Sequence, residues 1–193
     1  PTSSGNPSSQ ASVKIQYFVP TDLGSTSSNP VRYSLIHTST FDEHEDDLNT
    51  DHLESWAFVD GMGRTRVTLS EADEAAGDGG AWIAGGLVRY DAKGAVSGKH
   101  LEEFWGTGTP DPKTYPLGAL PSTAAGTQTY DAFGRQILTT DLDGTITLET
   151  FYHALGSDMW DAADRESSGD HEDTPASERK DGHGRTVSTI ERF

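Results

Sequence analysis

The stretch YDAFGRQILTTDLDGTITLETFYH, Tyr130–His153, decides the fold class. Arg135–Thr140 and Thr145–Tyr152 are two short runs rich in Thr, Ile and Leu, with polar and apolar residues interleaved. That is the period-two pattern of half-buried strands. Asp143-Gly144 between them is a two-residue hairpin signal, since Asp-Gly suits the positive backbone angles of a tight β-turn. Before the first strand stands Asp131-Ala132-Phe133-Gly134-Arg135, an aspartate followed by a glycine three residues on and an arginine four residues on. The block reads as strand, turn, strand, turn, strand.

The D-x-x-G-R pattern recurs. Asp60-Gly61-Met62-Gly63-Arg64 and Asp181-Gly182-His183-Gly184-Arg185 repeat it in full, and Asp91-Ala92-Lys93-Gly94 repeats it without the arginine. The aspartates at 60, 91, 131 and 181 are 31, 40 and 50 residues apart, so the units are alike and their loops vary. Tyr90 and Tyr130 directly precede their aspartates. The spacing is structural: the carboxylate can accept N–H groups one and two residues ahead, and the glycine supplies positive φ at no Cβ cost. The arginine can reach an aspartate of its own or a neighbouring hairpin, and the tyrosine covers the hairpin end. Such hairpins cannot each bury an apolar face, so they stack side by side.

Working outward, further strands are expected at Val13–Val19, Val31–Thr40, Glu54–Asp60, Arg64–Glu71, Trp82–Tyr90, Ala95–Trp105, Gln128–Tyr130 and Arg185–Arg192. Residues 1–12 read as a flexible Ser/Gly/Pro leader, and 13–193 as one β domain. Phe41–Asp51 and Ala154–Ser177 read as long acidic loops, Asp73–Gly80 as a turn region, and Thr107–Gly126 as a Pro/Gly-rich connection. No stretch has a helical period. The expected fold is all-β: antiparallel hairpins forming an open curved sheet with long acidic loops.

Composition narrows the function. The 193 residues are 33% hydrophobic, carry 14 Lys and Arg against 31 Asp and Glu, and have a formal charge of −17. This disfavours a nucleic-acid partner, which needs a basic face. No apolar run reaches the length of a spanning helix, so membrane insertion by this segment is not expected. No secretory signal stands at the N-terminus. There is no cysteine, which excludes disulfides, thiolate metal sites and cysteine nucleophiles.

Catalytic patterns are weak. Among the seven histidines, His44 and His52 with Asp42, Glu43, Glu45, Asp46 and Asp47 form the best cluster, but a solvated acidic loop accounts for it. Asp141-Leu142-Asp143-Gly144 lacks the later ligands of an EF-hand. Gly24-Ser25 and Gly156-Ser157 do not fit a nucleophile elbow. Gly77-Asp78-Gly79-Gly80 has the wrong charge for phosphate. Trp56, Trp82, Trp105 and Trp160 could stack on sugars, but hairpin cover is the simpler reading. No catalytic residue, cofactor or metal is expected.

On the residues Tyr130–His153 and the other D-x-x-G-R copies, the sequence resembles the YD-repeat, or Rhs-repeat, family. The segment WDAADR…TPASERKDGHGR, Trp160–Arg185, also resembles the B component of insecticidal toxin complexes and the SpvB-type proteins. Together these cover nearly all of 13–193. The resemblance implies a hollow shell of β-sheet around a toxic cargo, with this chain a non-catalytic fragment of its wall. Its implied partners are other segments or chains of the shell and an encapsulated toxin polypeptide, and its implied location is secreted or extracellular. The family's paired Asp-Pro elements are missing: Asp111-Pro112 stands alone. The competing reading is a secreted β-rich module that binds glycan or protein through exposed aromatics. An enzyme acting through its acidic clusters has the least support.

Overall fold

A computed structural model describes residues 12–20, 33–41, 52–117 and 122–192. Residues 1–11 of the leader, the loop Thr21–Pro30 and the acidic residues 42–51, with His44, lie outside these. Among the described residues, fourteen strands run antiparallel in two open sheets, and the only helical elements are three single 3-10 turns. Residues read from the sequence as one β domain divide by contacts into two compact units.

Unit 1 holds β1 (Val13–Phe18), β2 (Ser34–Phe41), β3 (His52–Val59), β4 (Thr65–Glu71), β5 (Trp82–Gly85) and β8 (Glu103–Trp105), paired in that order. The alternation seen in the sequence gives this sheet its core. Leu35, Trp56, Phe58, Val67, Leu69, Trp82 and Ala84 fall on one face through the registers Leu35↔Phe58↔Val67 and Trp56↔Leu69↔Ala84, and all are buried. The Pro-rich connection covers that face. Its 3-10 turn Pro112–Thr114 delivers Tyr115 onto Phe58 and Trp105, with ring centroids 5.8 and 5.3 Å away. Tyr115 is 5% exposed, and burial, then the nearby Glu103, pushes its phenol up to about 12.

Unit 2 is a single eight-stranded sheet in the order β14-β13-β12-β11-β10-β9-β7-β6. The strands are β6 (Val88–Tyr90), β7 (Val96–His100), β9 (Ala125–Tyr130), β10 (Gln136–Thr140), β11 (Ile146–His153), β12 (Gly156–Asp161), β13 (Ala176–Lys180) and β14 (Thr186–Ile190). None of the buried core hydrophobics belongs to this unit, and Phe151, Leu155, Met159, Val187 and Ile190 remain exposed.

Three expectations change. Trp82–Tyr90 and Ala95–Trp105 were expected as one hairpin. Instead the arms break at Gly86–Leu87 and Leu101–Glu102, so that β5–β8 joins one sheet and β6–β7 the other. Gly86 has φ +67, a bend any Cβ would resist. Ala154–Ser177 is not one long loop: β12 and the start of β13 lie inside it, and a two-residue turn, Ala154–Leu155, connects β11 to β12. Asp158 is therefore a strand residue.

Tyr115→Ala should destabilise unit 1 by about 3–5 kcal/mol, the usual cost of truncating a buried aromatic. Tyr115→Phe should cost less than about 1 kcal/mol, because the hydroxyl lies 3.4 Å from Glu103, at the outer limit of a hydrogen bond. Urea unfolding followed by tryptophan fluorescence distinguishes the two. Equal losses would mean that the polar contact, not the ring, holds the connection down.

Candidate functional site

The repeated turns share one geometry. In each, the aspartate N–H donates to the carbonyl four residues on, and the glycine N–H returns to the aspartate carbonyl. This is a tight turn closed by a left-handed glycine, with a one-residue bulge that shifts the register of the flanking strands. Gly63, Gly94, Gly134 and Gly184 have φ of +78, +87, +80 and +79.

The carboxylate closes the turn from the side. Asp60 Oδ1 accepts the N–H groups of Met62 (2.9 Å) and Arg64 (3.1 Å), while Oδ2 accepts Arg64 Nε (2.9 Å) and pairs with Nη2 (2.8 Å). Asp131 and Asp181 repeat the set with Phe133 and Arg135, and with His183 and Arg185, at 2.7–2.9 Å. The accepted N–H groups are thus two and four residues ahead, not one and two. The reason is geometric: the intervening peptides turn away to close the loop. Each arginine pairs within its own hairpin. At Asp91 the carboxylate takes Lys93 N–H (2.9 Å) and Ala95 N–H (2.8 Å) with no arginine beside it.

A fifth copy exists that the sequence reading took for a two-residue hairpin at Asp143-Gly144. Asp141 N–H donates to Thr145 O (2.8 Å), Gly144 N–H donates to Asp141 O (3.0 Å), and Gly144 has φ +86. The turn therefore spans Asp141–Gly144. Its D-x-x-G spelling was available, but Asp-Gly pointed to a shorter turn. Here Asp143 rather than Asp141 holds the Thr145 N–H, at 2.8 Å.

Hydrogen bonding favours the ionised form of Asp60, Asp131, Asp143 and Asp181. The Arg64 side chain lowers Asp60 from 3.8 to about 2. Asp131, Asp143 and Asp181 are also held below the ordinary carboxylate value, Asp181 and Asp143 chiefly by the backbone N–H of Arg185 and Thr145. At Asp131 desolvation opposes the lowering, and the backbone and side chain of Arg135 outweigh it.

Antiparallel pairing sets three turns along one end of the unit 2 sheet, those at Asp91, Asp131 and Asp181. The Asp141 turn falls at the other end. Neighbours touch: Lys93 Nζ donates to Ala132 O at 2.6 Å. The Tyr130 hydroxyl lies 2.9 Å from the Val96 carbonyl, bracing β9 against β7. Arg135 packs over Tyr152, 4.1 Å from its ring centroid. Tyr90 closes β6 opposite Val96. The Asp60 turn belongs to unit 1.

One polar cluster was missed because β12 was read as loop. Asp158 pairs with His153 Nε2 (2.6 Å) and Arg179 Nη1 (2.9 Å) and accepts the Ser177 hydroxyl. That hydroxyl, then His153 and Arg179, holds Asp158 well below the usual carboxylate range. The aspartate, not the histidine, is the hub. Ser177 is 1% exposed and also receives Arg192 Nη1 at 3.1 Å, so its hydroxyl is held inside the cluster. The cluster staples β11, β12 and β13. The four tryptophans do not form an exposed face. Trp56 and Trp82 are buried, Trp105 packs against the core, and Trp160 donates to Asp173 at 2.9 Å.

The fold has solved counterparts. The crystal structure of TcdB2–TccC3 is similar over 81% of this chain at 20% identity, with a TM-score of 0.59. TcdB2–TccC3–TEV matches at 20% identity and 0.56 over the same share. TcdB2–TccC3 without its hypervariable C-terminal region matches at 19% identity and 0.57 over 82%. This chain spans 8% of the length of each. No family model and no curated protein matches it by sequence.

Two outcomes follow from the turn. Gly134→Val should cost about 1–3 kcal/mol, since a β-branched residue is forced to φ +80. Gly182→Ala should be tolerated, because Gly182 has no positive φ and nothing within 4 Å of its Cβ position. Thermal melts compare the two, and equal shifts would refute the assignment of the left-handed residue. The second outcome concerns acid. Asp60 has its pKa lowered on folding, so its contribution is full above 3.8 and disappears as pH falls toward about 2. Arg64→Met should therefore be less stable than wild type at pH 6, with the gap narrowing toward pH 2. A gap independent of pH in urea titrations would mean the arginine acts by packing alone.

Proposed function

We propose that this chain is a non-catalytic wall segment of a YD/Rhs-repeat shell that encapsulates or delivers a toxin polypeptide, outside the producing cell. The observation that carries the reading is the single-layer sheet of unit 2, strung on repeated aspartate-latched turns. None of its apolar side chains is fully buried, as expected of a sheet that is completed by further segments. The likeness to TcdB2–TccC3 supports it at the level of fold, and the share of 8% suits a piece of a much larger wall. The partners would then be neighbouring segments or chains of the shell and the enclosed polypeptide. Wall material needs rigid hairpins, and the aspartate latches supply that rigidity.

The polypeptide that carries these residues, expressed whole with a reporter enzyme as its cargo, should protect that reporter from added protease. Removing residues 122–192 should open the wall and make the reporter cleavable. Unchanged protection after the deletion would reject the wall role.

A further inference from the structure

An aspartate followed by glycine is chemically weak, because glycine has no Cβ to keep the preceding carboxyl away from its own nitrogen. The chain has four such pairs: Asp60-Gly61, Asp78-Gly79, Asp143-Gly144 and Asp181-Gly182. The fold treats them differently. Asp60 and Asp181 are latched, with Oδ1 on two backbone N–H groups and Oδ2 on the guanidinium. Asp143 holds the Thr145 N–H at 2.8 Å, and the Gly144 N–H is already given to Asp141 O at 3.0 Å. At Asp78 the carboxylate makes a single bond among the described residues, from Oδ2 to the Asp73 N–H at 2.8 Å. The Gly79 N–H has no hydrogen-bond partner among them, and Gly79 is exposed.

We infer that Asp78-Gly79 is a modification site, where the folded chain converts aspartate to isoaspartate while the other three pairs are protected. The Gly79 nitrogen attacks Cγ of the neutral Asp78 carboxyl. An N–Cγ bond forms, the Cγ–OH bond breaks, and one water leaves with that hydroxyl and the amide proton. The resulting five-membered imide takes one water back. Addition at Cγ restores aspartate. Addition at the main-chain carbonyl carbon breaks its bond to nitrogen instead, and the chain then runs through Cγ. Mass is unchanged and water is the only co-reactant. At Asp60 and Asp181 the attack must first pull the carboxyl off two N–H groups and a guanidinium, and Arg64 and Arg185 also favour its unreactive ionised form. At Asp143 the Thr145 N–H favours that form too.

The position matters to unit 1. Asp78 N–H donates to Asp73 O at 3.1 Å, so the two aspartates close the loop between β4 and β5 from both sides. That loop delivers Gly80, where a Cβ would lie 2.6 Å from Gly106 O, and Ala81, whose N–H donates to the same carbonyl at 3.0 Å. One extra main-chain methylene at position 78 undoes the closure and shifts this seat beside β8. This goes beyond the wall reading and stands or falls separately from it.

The test needs only the full wild-type chain, aged in warm neutral buffer and digested. Peptide mapping with electron-transfer fragmentation locates isoaspartate, and methyl transfer by an isoaspartate-specific methyltransferase counts it. The Asp78 peptide should accumulate isoaspartate at least about tenfold faster than those of Asp60, Asp143 and Asp181, the factor that one charge-assisted hydrogen bond carries. In urea the four rates should converge, because the protection comes from the fold. Arg64→Met should raise the rate at Asp60 and leave Asp78 unchanged. An Asp78 rate no higher than the other three in the folded chain would overturn the proposal, and so would the same ranking persisting in urea. Loss of cargo protection in the wall experiment would leave it untouched.

Discussion

The structure depends on one aspartate carboxylate placed at the start of a turn. A hairpin that reverses through a left-handed residue leaves backbone N–H groups pointing inward with no carbonyl to receive them, and such groups cost free energy unless paired. At Asp60, Asp131 and Asp181 a single Oδ1 receives two of them while Oδ2 receives the guanidinium. Each carboxylate thereby fixes the turn, the bulge and the side-chain register of the two strands it joins. Because a slip of one residue would exchange the faces of a strand, that local latch governs packing some distance away.

The two units use this control differently. In unit 1, correct register puts Leu35, Phe58, Val67 and Leu69 on one face, and Tyr115 closes it. Hydrophobic burial then holds what the turns set up. In unit 2 no comparable burial exists, and the sheet is held by its ladders, its latches and the Asp158 network. Exposed ion pairs are individually weak, but Asp158 gathers His153, Arg179 and Ser177 on one carboxylate and so links adjacent strands where apolar contacts do not.

What could be read from the sequence follows the same division. The Asp60, Asp91, Asp131 and Asp181 turns were legible because aspartate and glycine, with arginine in all but the Asp91 copy, sit within five residues, and the conformation they set is equally local. The core strands were legible because one face is apolar and the other is not. β12 was not: GSDMWD serves a sheet with no buried face, so its alternation of Ser, Met and Asp resembles a loop. The break of one hairpin into two sheets at Gly86 was equally hidden. The apolar pattern runs through it from Trp82 to Tyr90, and the choice of sheet depends on which distant strand offers an edge. The Asp158 cluster joins three strands, and its members carry no common spacing.

The arginine of the motif is separable from the turn itself. Asp91 makes the same two backbone bonds with alanine following its glycine, and Gly94 keeps φ +87. At Asp141 the next aspartate takes over one N–H, and Gly144 keeps φ +86. Aspartate and glycine therefore suffice for the conformation. What arginine adds is a counter-charge on the oxygen that the backbone does not use. In a chain with 31 acids and 14 Lys and Arg, an ionised carboxylate held against its neighbours repels them unless it is neutralised in place. At Asp131 the neighbouring turn contributes too: Lys93, from the copy that lacks arginine, reaches the Ala132 carbonyl. The arginine thus neutralises the carboxylate of its own hairpin, whereas Lys93 ties two neighbouring turns together through backbone carbonyls.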